Sequence, residues 1–204
     1  CLWAPSVRAH AELYMGLVEV GVGLIPGAGG TVEMALRALE NAPDDPNFPF
    51  EMLLRKPLEA VAMAKVSTSA DNARSLGLLR PTDGITINRD HLLYAAKQQA
   101  LGMALSGYRP PRPRQVRMPG PSAKATFSMV LRSMRDGHMM SDHDLLISEK
   151  VAHVMTGGNT SPRVLMTEQK LLDLEREAFL SLCGEPKTQE RIQYMLMNNK
   201  PLRN

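Results

Sequence analysis

Glu19 stands in GLVEVGVGLIPGAGGT, residues 16–31, the one carboxylate in a run of Val, Leu, Ile and Gly. Two readings are open. Alternation along a strand can turn the side chain to solvent; alternatively it lies in an apolar cleft, where lost hydration disfavours the ionised form and makes a carboxyl group a usable proton donor or acceptor. The glycines around it invite a phosphate-binding reading, which spacing tests. Gly21-x-Gly23 has Pro26 where a dinucleotide fingerprint needs its third glycine, and Gly27-x-Gly29 has Val32 there. No lysine follows Gly30, so the phosphate loop of nucleotide hydrolases fails as well. What remains is a glycine-rich turn feeding a helix N-terminus, either as a tight turn only or with free N–H groups facing a ligand carbonyl or phosphate. His138, His143 and His153 have no metal-ligand spacing, and surface or capping roles are expected of them. Cys1 and Cys183 suit a reducing compartment and are read as packing residues.

The elements that position these residues must come from a chain of 204 residues with 44% hydrophobic content, enough for a sizeable core. No apolar run approaches a membrane span of ~20 residues, so a cytoplasmic chain without a membrane span is expected. A net charge of +3 is too modest to argue for a nucleic-acid partner. The chain opens on Cys1 and runs straight into apolar sequence, which leads us to expect a preceding partner segment.

SVRAHAELYMGLVEVGV alternates weakly and reads as a strand dissolving into the glycine loop. Thr31 is the expected N-cap of TVEMALRALE, with Val32, Ala35, Leu36 and Leu39 as its apolar stripe and Glu33 in its first turn. A short helix around Phe50, Leu53 and Leu54 should precede another that begins at Pro57. Ser69 caps ADNARSLG, which Gly77 stops; DGITI reads as a strand and RDHLLYAAKQQALGMAL as a longer helix. GYRPPRPRQVRMPGP holds five prolines and four arginines and reads as an extended connector. Its Arg109, Arg112, Arg114 and Arg117 are either solvated or available to the phosphates of a ligand or an acidic partner surface. Further helices are expected in SAKATFSMVLRSMRDG, in SDHDLLISEKVAHVM with Ser141 and Asp144 as capping pair, in TEQKLLDLEREAFLSLC with Leu171, Leu174, Ala178 and Leu182 inward, and in KTQERIQYMLMNN. The 14 methionines are read as gap-filling core.

LVEVGVGLIPGAGGT resembles the segment of the enoyl-CoA hydratase (crotonase) superfamily of the form P-E-x-x-x-G-x-x-P-G-x-G-G-T, through Glu19, Gly23, Pro26, Gly27, Gly29, Gly30 and Thr31. SADNARSLGLL is similar to that family's A-x-x-A-x-x-x-G-L through Ala70, Ala73, Gly77 and Leu78. The wording around Glu19, with the closing LEREAFLSLCGEPKTQERIQYMLMNNKPLRN, resembles more narrowly the C-terminal hydratase module of bacterial multifunctional β-oxidation proteins, in which a 3-hydroxyacyl-CoA dehydrogenase part comes first.

The resemblance implies an α/β crotonase-like fold of the ββα spiral type, of which this chain is the C-terminal, mostly helical portion. Residues 1–105 would belong to the crotonase core, 106–122 to a Pro/Arg-rich connector and 123–204 to a helical extension. It implies addition of water to a trans-2-enoyl-CoA, with Glu19 as the second of two catalytic glutamates and Gly23, Pro26, Gly27, Gly29 and Gly30 as the substrate-binding turn. The first glutamate and the donors to the thioester oxyanion would come from an N-terminal part of the same polypeptide. Acyl-CoA is then the substrate, no cofactor or metal is expected on this chain, NAD is expected for the dehydrogenase part, and oligomerisation is expected. Two other functions stay open: an enoyl-CoA isomerase, and a non-catalytic docking module that keeps the crotonase loop as scaffold.

Overall fold

A computed structural model describes residues 1–204. Short local signals set most of its helices. Ser69 Oγ accepts from Asn72 N–H at 3.0 Å and starts α3, Ala70–Ser75, which ends before Gly77 at φ +81°. Ser141 and Asp144 form the expected reciprocal capping box at the head of α6, Asp142–Met155, and Thr167 caps α7, Glu168–Cys183. The remaining helices are α1, Gly30–Leu39; α2, Glu51–Ala62; α4, Leu92–Leu105; α5, Pro121–Asp136; and α8, Pro186–Asn198. None is long and apolar enough to cross a membrane.

The strands are few and short. β1, Arg8–His10, pairs in parallel with β2, Gly84–Thr86; β3, Gln115–Arg117, pairs antiparallel with β4, Leu165–Thr167, with Val116 opposite Met166. The chain is thus a mostly helical α/β structure with two two-stranded sheets. These pairs do not by themselves show a ββα spiral.

The chain forms two compact units, residues 1–16 with 66–113 and residues 17–65 with 114–204. The first holds β1, α3, β2 and α4. The second holds the glycine segment, α1, α2 and everything from β3 onward. In this second unit α6 packs against α1, α2, α5 and α7, and its Ile147, Val151, Ala152 and Met155 are fully enclosed.

Several expectations are corrected. Glu19 is not on a strand: Glu19–Val22 is a 3₁₀ turn, because Gly23 at φ +89° and the bond from Leu24 N–H to Glu19 O close the chain back on itself. Helix α1 begins at Gly30 with Gly29 at φ +80° in the cap position, and Thr31 caps nothing. Pro57 does not open a helix but lies inside α2; it removes the N–H that would serve Leu53, and burial of Leu54, Leu58 and Val61 on both sides carries the helix through. The Pro/Arg connector contains a strand, β3, and its Pro121 opens α5. The methionines divide: Met34, Met118, Met155 and Met166 are buried, whereas Met52, Met129, Met139 and Met197 are exposed. Cys1 is exposed, and neither cysteine is in a disulfide.

Candidate active site

The 3₁₀ turn places Glu19 at its first position and sinks Val20 completely. The Glu19 side chain is half-buried, and its Oε2 is shielded from solvent with no hydrogen-bond partner. It is the only carboxylate oxygen in the chain so placed. Buried polar atoms without a partner are few in native structures, and a catalytic role is one reason for them.

Two residues of α8 hold the turn from below. Arg191, fully buried, reaches Val20 O at 3.4 Å through Nη1, and the same nitrogen binds Asp144 Oδ1 at 2.7 Å. Its Nη2 donates to Ser141 Oγ at 3.2 Å and its Nε to Asn204 Oδ1 at 2.8 Å. Arg203 adds a second contact to Asp144 Oδ1 at 3.0 Å. Burial pushes the Asp144 carboxyl up, but the Arg191 hydrogen bond, the Ser141 N–H and the charges of Arg191 and Arg203 outweigh it and hold the group below its ordinary value.

Thr188, one turn earlier on α8, donates its hydroxyl proton to Gly23 O at 2.7 Å. A hydroxyl has one proton, so Thr188 Oγ1 accepts from His143 Nε2 at 2.9 Å, which fixes the proton on that ring nitrogen. His143 is 3% exposed, against the surface role expected of it. Burial first, then the charges of Arg191 and Lys187, holds its pKa below the ordinary value. His153 accepts from Lys124 Nζ at 3.0 Å through Nδ1, while His138 lies exposed beyond the end of α5. No three His, Cys, Asp or Glu side chains are grouped to hold a metal ion.

The glycines make room for the C-terminal helices. A Cβ on Gly23 would stand 2.8 Å from Thr188 Cα, and one on Gly27 would stand 2.5 Å from Phe179 Cδ2. Pro26 is buried beside Gly30, whose missing Cβ would meet Pro26 Cβ at 2.9 Å and Leu17 Cδ2 at 3.0 Å. The N-terminal amides of α1 are not free. Gly29 N–H donates to Glu175 Oε1 at 2.6 Å and Val32 N–H to Glu175 Oε2 at 3.0 Å. Glu175 comes from α7, is 1% exposed, and replaces the missing side-chain cap with a carboxylate at the positive end of the helix dipole. Burial pushes its pKa up; the backbone bonds to Val32, Gly29 and Thr31 oppose this, and the nearby charge of Glu19 adds to it. A dinucleotide or phosphate therefore finds no open helix N-terminus here, in agreement with the failed glycine spacings.

Glu175 is the residue that sequence reading misses, although the signal is present. The buried stripe of α7 is Leu171, Glu175, Ala178 and Leu182, so a carboxylate occupies an inward register between apolar residues just as Glu19 does. Arg114 and Arg117 leave the set of arginines open to a ligand. Arg114 joins Glu33 of α1, 1% exposed, to Glu168 at the start of α7, and Arg117 binds Asp44 Oδ1 and Pro162 O, each at 2.7 Å. Burial disfavours the Arg114 charge, but its bonds to Glu33 and Glu168 outweigh this and raise its pKa. Arg109 and Arg112 are exposed.

No protein-family model matches the chain. The "Probable 3-hydroxyacyl-CoA dehydrogenase" of Bacillus subtilis is 45% identical over 204 residues, which is 100% of this chain and 25% of that protein. The "Putative fatty acid oxidation complex trifunctional enzyme" of Rickettsia felis is 29% identical over 192 residues, 94% of this chain and 23% of that protein. The Rickettsia prowazekii protein of the same name is 25% identical over 187 residues, 92% of this chain and 22% of its own length. The chain is thus homologous, over its full length, to one part of a bacterial 3-hydroxyacyl-CoA dehydrogenase and multifunctional fatty-acid oxidation protein, and spans about a quarter of the relatives' length.

Proposed function

We propose that the chain is the C-terminal part of a crotonase-type enoyl-CoA hydratase module within a cytoplasmic multifunctional β-oxidation protein. The observation that carries this reading is the shielded, unpartnered Oε2 of Glu19, at the head of the turn whose residues match the crotonase segment. A docking scaffold has no use for an unsatisfied carboxylate oxygen, which lowers stability without return. The names of the relatives, with their dehydrogenase and fatty-acid oxidation functions, agree in pathway.

The reaction is addition of water across the double bond of a trans-2-enoyl-CoA. The water oxygen bonds to C3, one of its protons leaves, and a proton is delivered to C2. Glu19 is one of two carboxyl groups that orient the water and pass these protons, and burial of its Oε2 keeps it from bulk solvent. The other, first glutamate and the N–H donors to the thioester oxygen belong to an N-terminal part of the same polypeptide. That part also completes the unit of residues 1–16 and 66–113, where a lone parallel strand pair and a helix without buried residues call for further cover. NAD binds in the dehydrogenase part; the glycine spacing and the Glu175-capped helix do not fit it here.

The test is Glu19→Gln in the polypeptide that carries the whole module, followed by loss of enoyl absorbance. Hydration should fall by about 10²–10⁴-fold, the usual worth of acid–base catalysis, with KM little changed. Dehydrogenase turnover on supplied 3-hydroxyacyl-CoA should be unaffected. A glutamine variant that hydrates as fast as its parent removes the reading. The 204-residue chain alone should show no appreciable crotonyl-CoA hydration.

A further inference from the structure

The geometry points to Glu175 as a positioning residue for Glu19: by binding the amides of Gly29 and Val32 it fixes the far end of the glycine turn on α7, and so sets where the Glu19 carboxylate stands. This rests on the hydratase reading above. The turn from Glu19 to Val32 has two anchors. At the near end Arg191 and Thr188 hold Val20 O and Gly23 O; at the far end only Glu175 supplies side-chain bonds to the amides that open α1.

The choice of residue is itself informative. An apolar side chain at position 175 would continue the stripe of Leu171, Ala178 and Leu182. Instead the chain buries a carboxylate whose two oxygens both accept backbone N–H bonds, in a place where its charge and that of Glu19 repel each other. Glu19 Oε2, shielded from solvent, meets no donor of the chain, so its position is left to the anchors of the turn. Burying such a group is costly, and the cost is retained where geometry within a fraction of an ångström matters.

The experiment is a double-mutant cycle on hydration in the polypeptide that carries the whole module. Glu175→Gln keeps shape and one acceptor oxygen but sets an amide NH₂ against a backbone N–H. Glu175→Asp keeps the charge and shortens the reach. We expect Glu175→Gln to lower kcat by about 10–100-fold with KM within about twofold, as displaced catalytic groups do. Glu175→Asp should fall between it and the parent. The double variant Glu19→Gln/Glu175→Gln should be no slower than Glu19→Gln alone, because Glu175 acts only through Glu19. Unchanged kcat in Glu175→Gln, or a loss that adds in full to that of Glu19→Gln, overturns the positioning role while leaving the hydratase reading intact. A Glu19→Gln variant with parental turnover overturns the hydratase reading instead. If neither Glu175 variant folds, the residue is a stability element and the inference is wrong.

Discussion

Helices α1 and α4 are both rich in Leu, Met and Ala, yet α1 buries eight of its ten residues and α4 buries none of its fourteen. Leu93, Tyr94 and Leu105 of α4 are exposed to 82%, 66% and 89%. A helix that is apolar on most sides is stable in water only when something covers it. Helix α1 has that cover within its own unit, from α2, α6 and α7, and its charged members are internally paired: Glu33 binds Arg37 at 3.0 Å and also Arg114. Helix α4 touches β1 and little else. Helix α1 is therefore covered within its own unit, whereas α4 leaves most of its apolar surface bare.

The largest effect that would break this contrast is at Arg191. Arg191→Met removes the buried one of the two arginines on Asp144 and the bond to Val20 O, and should cost about 3 kcal/mol or more in denaturant unfolding. If the loss is under about 1 kcal/mol, the network under Glu19 is not what holds that unit together. Next in size is Thr188→Val, which keeps volume but leaves Gly23 O and His143 without their partner; about 1–3 kcal/mol is expected by the same measurement.

A smaller effect concerns pH. The folded-state pKa of His143 lies below its ordinary 6.5, so between the two values the unfolded chain binds a proton that the folded chain does not. Stability is untouched well above pH 6.5 and declines as the pH falls below it. Melting followed from about pH 7.5 to about pH 5.5 should show this decline, and His143→Gln, which still donates to Thr188, should make it shallower. It should not abolish it, because burial and Lys124 lower the pKa of His153 too. An identical slope in the variant would show that His143 is not a source of the loss.

The smallest effect is the most diagnostic of the contrast. Leu93→Ala and Leu105→Ala in α4 should change the stability of the 204-residue chain by no more than about 0.5 kcal/mol each, as exposed substitutions do. In the longer polypeptide the same changes should cost about 2 kcal/mol or more if that part covers α4. Equal, negligible costs in both settings would leave α4 without a partner.

What can be read from the sequence follows the range of the interactions. The caps at Ser69 and Ser141 and the stop at Gly77 rest on contacts within three or four residues, and each stands where the local pattern puts it. Glu19 itself is legible because a carboxylate among Val, Gly and Leu is anomalous at the level of types. Its 3₁₀ setting is not, since weak alternation describes a strand and a turn equally well until Gly23 closes against Thr188. Pro57 misleads for the opposite reason, because the burial on both sides of it outweighs a lost hydrogen bond.

The remainder of the site comes from far away in the chain. Glu175 is 146 positions from Gly29 and 143 from Val32, Thr188 is 165 from Gly23, and Arg191 is 171 from Val20. A single sequence shows that α7 carries an inward glutamate, but not which helix end it meets. Residue types and short-range hydrogen bonds therefore determine the helices, their caps and the presence of an ionisable group in an apolar turn. Only the packing of α7 and α8 against that turn decides that its amides are occupied, its carbonyls are held and its carboxylate oxygen is left unpartnered, because those are long-range bonds that exist only once the core has closed.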